Sequence, residues 1–325
     1  VNEHVHEVPP IDTATADIEI FDPPVSVDEI ELLDDDDATP AEPSRSRLRS
    51  ALRRLWSLPN GVKIGGGLVA FFAFVAIFAP VIAPYGPEDG EIRNRLQSIG
   101  TPGHLLGTDG QGRDLLSRLI WGARPSLISG IVPVLVAAGI GTALGLVAGL
   151  GSRRVHALVM RTLDVVYAFP AVLLAIAIAA ALGPGITNVI IALSIVLVAP
   201  IARVVETEVA RVRTADFMDA ARASGARGIV IATRQVVPNI LPTLVVYCTA
   251  LIGLVIVYAA GLSFLGLGVT PPTPEWGAIL NDLRQNLYDE PMLALVPAAV
   301  IFLASVAFNV LGDGLRELLE VREAA

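Results

Sequence analysis

Six stretches of this 325-residue chain run 17 to 25 residues without a single Asp, Glu, Lys, Arg or His: 64–83, 126–150, 165–182, 186–202, 240–262 and 292–312. As helices rising about 1.5 Å per residue, they are of the length needed to cross roughly 30 Å of hydrocarbon. A charge at the centre of such a helix costs about 2.5–3.5 kcal/mol on insertion scales, so the clean exclusion of ionisable groups marks lipid as the solvent. The composition agrees: hydrophobic residues make up 53%, charged residues 17%, and the mean hydropathy is +0.64, beyond the apolar share of a soluble domain. The expected fold class is all-α, a polytopic membrane protein with six transmembrane helices. The third and fourth stretches are short and joined by Gly183-Pro184-Gly185, which predicts a helical hairpin.

The net charge of −9 has to be divided before it means anything. Of the 32 acidic residues, 14 lie in residues 1–44, which contain no Lys or Arg, leaving 18 acids against 23 bases in the remainder. The 1–44 segment, with its prolines and the acidic run 34–37, lacks the apolar residues to offset ordering entropy and is expected to be a disordered cytoplasmic tail. Residues 45–63 carry Arg45, Arg47, Arg49, Arg53, Arg54, Trp56 and Lys63. With a membrane span following directly, they read as a basic juxtamembrane anchor with an interfacial tryptophan, not as a nucleic-acid surface. The remainder, 64–325, is the transmembrane domain. If the amino terminus is cytoplasmic, the inner segments hold 17 basic residues and the outer segments 6, so the positive-inside rule puts both termini in the cytoplasm.

Several function classes are excluded by what the spans lack. Proton- or ion-coupled transport uses intramembrane ionisable groups, and there are none. A channel needs a polar or charged filter, and an intramembrane enzyme needs paired catalytic groups; the spans supply neither. No GxxxxGK[ST] loop or HExxH occurs, the single Cys248 forbids an intrachain disulfide, and His4, His6, His104 and His156 are scattered. No catalytic residue, metal set or bound cofactor is expected on this chain. In the second span Gly141, Gly145 and Gly149 stand four apart, a spacing that lets helix backbones approach closely. They can serve contact with another subunit or packing within this one, and internal packing is favoured.

The loop 203–239 between the fourth and fifth spans is the longest inner one. It contains Phe217, then Asp219-Ala220-Ala221-Arg222, Gly225-Ala226, and Gln235 and Val237-Pro238. Asp216 or Thr214 can cap a short helix through Ala223, the alanines keep it slim, and Gly225 ends it by allowing a left-handed backbone. A second short segment, 229–237, leads back to the membrane. A slim helix projecting from the bilayer suits a cleft on a soluble partner.

This loop resembles the EAA loop of binding-protein-dependent ABC importer permeases, with Asp219 where Glu is usual, and Gln235 and Val237 where His or Ile and Leu are common. Two further blocks, 106–127 (LGTDGQGRD, then SR and GARPSL) and 262–277 (LSFLGLGV through PEWG), together with 309–316 (NVLGDGLR), resemble the C-type subunit of the dipeptide/oligopeptide (and nickel) permease family. The resemblance covers about residues 60–318. It implies a type I importer permease fold in the inner (plasma) membrane and short-peptide cargo, with nickel or haem-like cargo as the alternative. It also implies a homologous B-type permease partner, an extracytoplasmic binding protein and two separate ATPase subunits that carry ATP and magnesium. Phe217, Asp219, Ala220, Ala221, Arg222, Gly225, Ala226, Gln235, Val237 and Pro238 would form the ATPase-coupling surface. For the block before the second span, two readings stay open: an amphipathic helix lying on the outer face, from Leu115, Leu116, Leu119 and Ile120, or contact with the binding protein.

Overall fold

The computed structural model describes residues 58–323, with side chains to Glu320; the acidic tail and residues 45–57 of the basic segment lie outside them. Helices account for most of the described residues, which contain no β-strand, only isolated bridges in the loop 90–114.

Helix α1, Asn60–Ile82, presents Phe71, Phe74, Ile77 and Val81 outward and buries Phe72, Ala76 and Ala79. Gly61 and Gly65 bring its start against the backbone of the last helix near Val310, Leu311 and Gly314. Helix α2, Leu115–Leu150, is 36 residues long. The stretch with Leu115, Leu116, Leu119 and Ile120, for which a helix lying on the outer face was one of two open readings, forms its first three turns. Leu115, Leu119 and Ile120 there are buried, and the charges of Arg118 and Arg124 are absorbed by protein partners. Asp114 starts the helix by accepting the Ser117 N–H at 2.8 Å, an N-cap.

The single third span expected over 165–182 is divided. Helix α3, Arg153–Tyr167, stops before Phe169-Pro170 and helix α4, Ala171–Leu182, resumes at an angle of 83°. Pro170 explains the break: the residue before proline is pushed out of the α region, and proline is well placed where a new helix starts. Twelve residues rise only about 18 Å, so α4 alone falls short of the hydrocarbon thickness. Five helices are long and apolar enough to cross a membrane, and the bent α3–α4 pair makes a sixth crossing if counted as one span.

Gly183 (φ +86°) and Gly185 (φ +148°) turn the chain into α5, Ile186–Arg213, while the Asn188 side chain donates to the carbonyls of Leu182 and Gly183. Gly141, Gly145 and Gly149 of α2 lie directly against Ile201, Val205 and Val209 of α5. A methyl group on Gly145 would sit 2.6 Å from Val205 and 2.8 Å from the Ala202 carbonyl oxygen. The stripe thus serves packing between two helices of this chain.

After α6, Asp216–Ala223, a helical turn and a six-residue π-turn, Ile231–Val236, run without a break into α7, Val237–Phe264. Helix α8, Trp276–Leu283, lies in the connection to α9, Pro291–Glu323. Two apolar clusters share α2 and α7. One gathers α4, α5 and the α6 region, the other α1, α8 and α9. The Gly183–Gly185 turn meets Leu267 (Gly185 N–H to Leu267 carbonyl, 3.2 Å), so α6 and α8 lie at opposite ends of the helix bundle.

Candidate functional site

The loop between α5 and α7 is built around one exposed helix. Its start is not side-chain capped. Thr214, expected as a cap, instead gives its hydroxyl to the Arg211 carbonyl at 2.9 Å and closes α5, Asp216 falls inside the first turn, and Ala215 occupies the cap position. Two aspartates in that first turn still complement the positive end of the helix dipole. Its end is a Schellman motif: the Gly225 N–H donates to the Arg222 carbonyl at 3.0 Å and the Ala226 N–H to the Ala221 carbonyl at 3.2 Å, with Gly225 at φ +74°. Nothing lies within 4 Å of where a Gly225 side chain would begin, so the requirement for glycine is one of backbone conformation, not space.

Phe217, Asp219, Ala220, Arg222 and Gly225 are exposed, Ala221, Ala226, Gln235 and Val237 are half-buried, and Pro238 is exposed in the first turn of α7. Asp219 and Arg222 pair at 2.8 Å on the solvent side. Ala226 packs against the apolar cluster below. The residue that sequence reasoning missed is Met218. It is the one buried side chain of α6, fully enclosed in a cluster with Val209, Val212, Ile231 and Val236. The available signal was its spacing: Ala215, Met218 and Ala221 stand three apart and face the bundle, whereas attention to the small-residue motif favoured Phe217. Burying a methionine is worth about 1.5–3 kcal/mol, which makes Met218 the principal tether of this helix.

The opposite end is charged but closed. Asp109 is completely buried. Its Oδ1 accepts the N–H groups of Gln111 (2.8 Å) and Arg113 (3.0 Å), and its Oδ2 takes the Arg113 guanidinium (2.7 Å) and that of Arg118. Burial pushes the Asp109 carboxyl up, but the two guanidinium groups and the backbone donors outweigh it and hold it below its ordinary value. Asp282 of α8 reaches both arginines at 3.3 Å. Glu275 caps α8, accepting from Gly277 and Ala278 N–H and the Ser126 hydroxyl, each at 3.0 Å. Burial raises its carboxyl above the usual range despite these bonds. Among the described residues no three His, Cys, Asp or Glu side chains converge as a metal set would.

An apolar helical bundle with glycine-packed crossings, presenting one slim exposed helix at one end and a buried charged cluster at the other, is the build of a polytopic membrane protein. Residues 141–324 match the family described as binding-protein-dependent transport system inner membrane component, and residues 46–98 match the N-terminal TM domain of oligopeptide transport permease C. The chain is 40% identical over 276 residues to the glutathione transport system permease protein GsiD of Pectobacterium atrosepticum, covering 84% of this chain and 92% of that one. It is 45% identical over 252 residues to GsiD of Escherichia coli, covering 78% and 83%. In fold it resembles a chain of the methionine ABC transporter MetNI in an inward-facing conformation, with a TM-score of 0.52 at 20% identity over 62% of this chain and 97% of that one. This chain belongs to the binding-protein-dependent permeases and is a membrane-spanning subunit of an ABC importer, of the C type found in oligopeptide systems.

Proposed function

We propose that this permease passes short peptides across the membrane and takes its driving force from ATPase subunits that grip α6. The observation that carries the coupling reading is the construction of α6: eight residues, a single buried tether at Met218, a left-handed stop at Gly225 and an otherwise exposed surface. A helix held this way can be displaced as a rigid lever, and its connection through the continuous 228–264 helix would pass that motion into the membrane. ATP-driven closure of the ATPase pair would bias the permease between inward- and outward-open states through differential contact with α6. ATP and magnesium stay on those partners, and a homologous second permease and an extracytoplasmic binding protein complete the assembly. The peptide cargo follows from the relatives named for glutathione, itself a small peptide.

Both termini are assigned to the cytoplasm by the distribution of arginine, which puts α6 inside and α8 outside. With Cys248 replaced, single cysteines at Asn94 and Asn281 should react with an impermeant thiol reagent from outside, and one at Arg227 should not. Reversed labelling would overturn the orientation. For function, the test is purification of the tagged chain with its associated proteins, followed by peptide uptake in vesicles. An ATPase that co-purifies and drives uptake of a short peptide supports the reading, and a chain that binds no ATPase contradicts it.

A further inference from the structure

We propose that Asp282 is a positioning residue that locks α8 to the outer end of α2, so that the two travel as one body when the outer mouth opens. This rests on the orientation and importer reading above. Asp109, Arg113 and Arg118 all belong to the stretch entering α2 and together carry one net positive charge. They are 0%, 4% and 2% exposed at the side chain. The balancing negative charge comes from a different element: Asp282, on α8, which bonds both guanidinium groups at 3.3 Å and is itself 30% exposed. Electrical neutrality of the box therefore depends on α8 being docked. If α8 swung away alone, it would leave two buried guanidinium groups sharing the single carboxylate of Asp109, a net buried charge far more costly than an exposed one.

The other end of α8 is fastened to the same partner. Glu275 accepts the Ser126 hydroxyl of α2, the Trp276 backbone N–H donates to Ser126 Oγ at 3.0 Å, and the Trp276 indole N–H donates to the Leu119 carbonyl at 3.0 Å. Between the two ends Trp276, Ile279 and Leu283 are buried, and Gly277 lies against the Ala260 backbone of α7. A helix pinned at both ends to α2 is not built as an independent lid. Opening at this face is a displacement of the α2–α8 unit, and Asp282 is the partly exposed, longer-bonded contact on which the unit depends.

The experiment uses the whole transporter with its ATPase subunits and binding protein in lipid vesicles, Cys248 replaced, and spin labels at Gln111 and Gln285, both exposed. The label distance should be the same in the nucleotide-free and vanadate-trapped states. Asp282→Asn should broaden that distance and lower uptake per inserted permease by roughly tenfold or more, the scale set by an unpaired buried charge. Basal ATP hydrolysis should persist, and Asp282→Glu should restore coupling. A purely structural role would reduce the amount of permease without changing uptake per molecule. Separation of the labels by more than about 5 Å between states, the size of a one-turn helix shift, would overturn the proposal in the unmutated protein even if Asp282→Asn fails to fold. So would normal uptake by Asp282→Asn. Absence of ATP-driven uptake by the unmutated assembly would count against the importer reading, whereas label separation counts against the clamp alone.

Discussion

Helices α6 and α8 are both eight residues long and both connect membrane helices, yet they are opposites in how they are held. Helix α8 buries Trp276, Gly277, Ile279 and Leu283 and is tied at both ends by charged groups. Helix α6 buries Met218 alone, and its only ion pair, Asp219–Arg222, is internal and solvent-exposed. Exposed pairs of this kind contribute about 0–1 kcal/mol, so almost nothing but Met218 and the connecting turns fixes α6. The lesson is that polar content does not distinguish a sealed surface from an engaged one. Where the charges are spent on the chain's own groups the helix is part of the scaffold; where they face solvent and the tether is single, the helix is available to a partner.

The largest effect should come from breaking the scaffold side. Trp276→Ala removes a ring that is 1% exposed, contacts Phe72 edge-on at 5.7 Å and donates to Leu119. A loss of about 3–5 kcal/mol is expected, read as little folded permease in detergent and a lowered melting temperature. Met218→Ala should also cost about 2–5 kcal/mol at the site, but with a different signature: the bundle stays folded and the ATPase subunits hydrolyse ATP without driving uptake. If Met218→Ala reduces permease amount in step with uptake, α6 is more deeply integrated than a single tether allows. Asp219→Glu should matter least, within about 0.5 kcal/mol, because its side chain is 82% exposed and surface changes of this kind are small. Uptake by that variant should stay near normal.

The contrast between the two ends was only half legible in the sequence. The crossings could be read directly because lipid excludes ionisable residues, and Gly225 because a slim helix followed by glycine demands a left-handed stop. The tether was not legible: Phe217 and Met218 are adjacent and both apolar, and only packing against Val212, Ile231 and Val236 decides which turns inward. The break in the third span was written at Pro170, but inside an apolar run a proline can kink or end a helix, and the 83° bend is a tertiary outcome. Leu115, Leu116, Leu119 and Ile120 allowed the start of α2 to be read as a surface helix carrying Arg118 and Arg124. Their charges are compatible with a continuous helix because Asp109, Asp282 and the carbonyls of Ala76 and Ile77 receive them, partners that lie up to 164 residues away.

The entry of force through α6 can be tested at Gly225. At φ +74° with open space around it, a side chain there meets no clash, only the left-handed backbone, which costs a non-glycine residue about 1–2 kcal/mol and a β-branched one more. Peptide uptake and binding-protein-stimulated ATP hydrolysis should therefore be measured for Gly225→Val and Gly225→Asn in the assembled transporter. Both variants should insert normally; valine should abolish coupled uptake, whereas asparagine, which tolerates this conformation, should retain most of it. Normal uptake by Gly225→Val at normal abundance would show that the shape of α6 is irrelevant to transport and would contradict the claim.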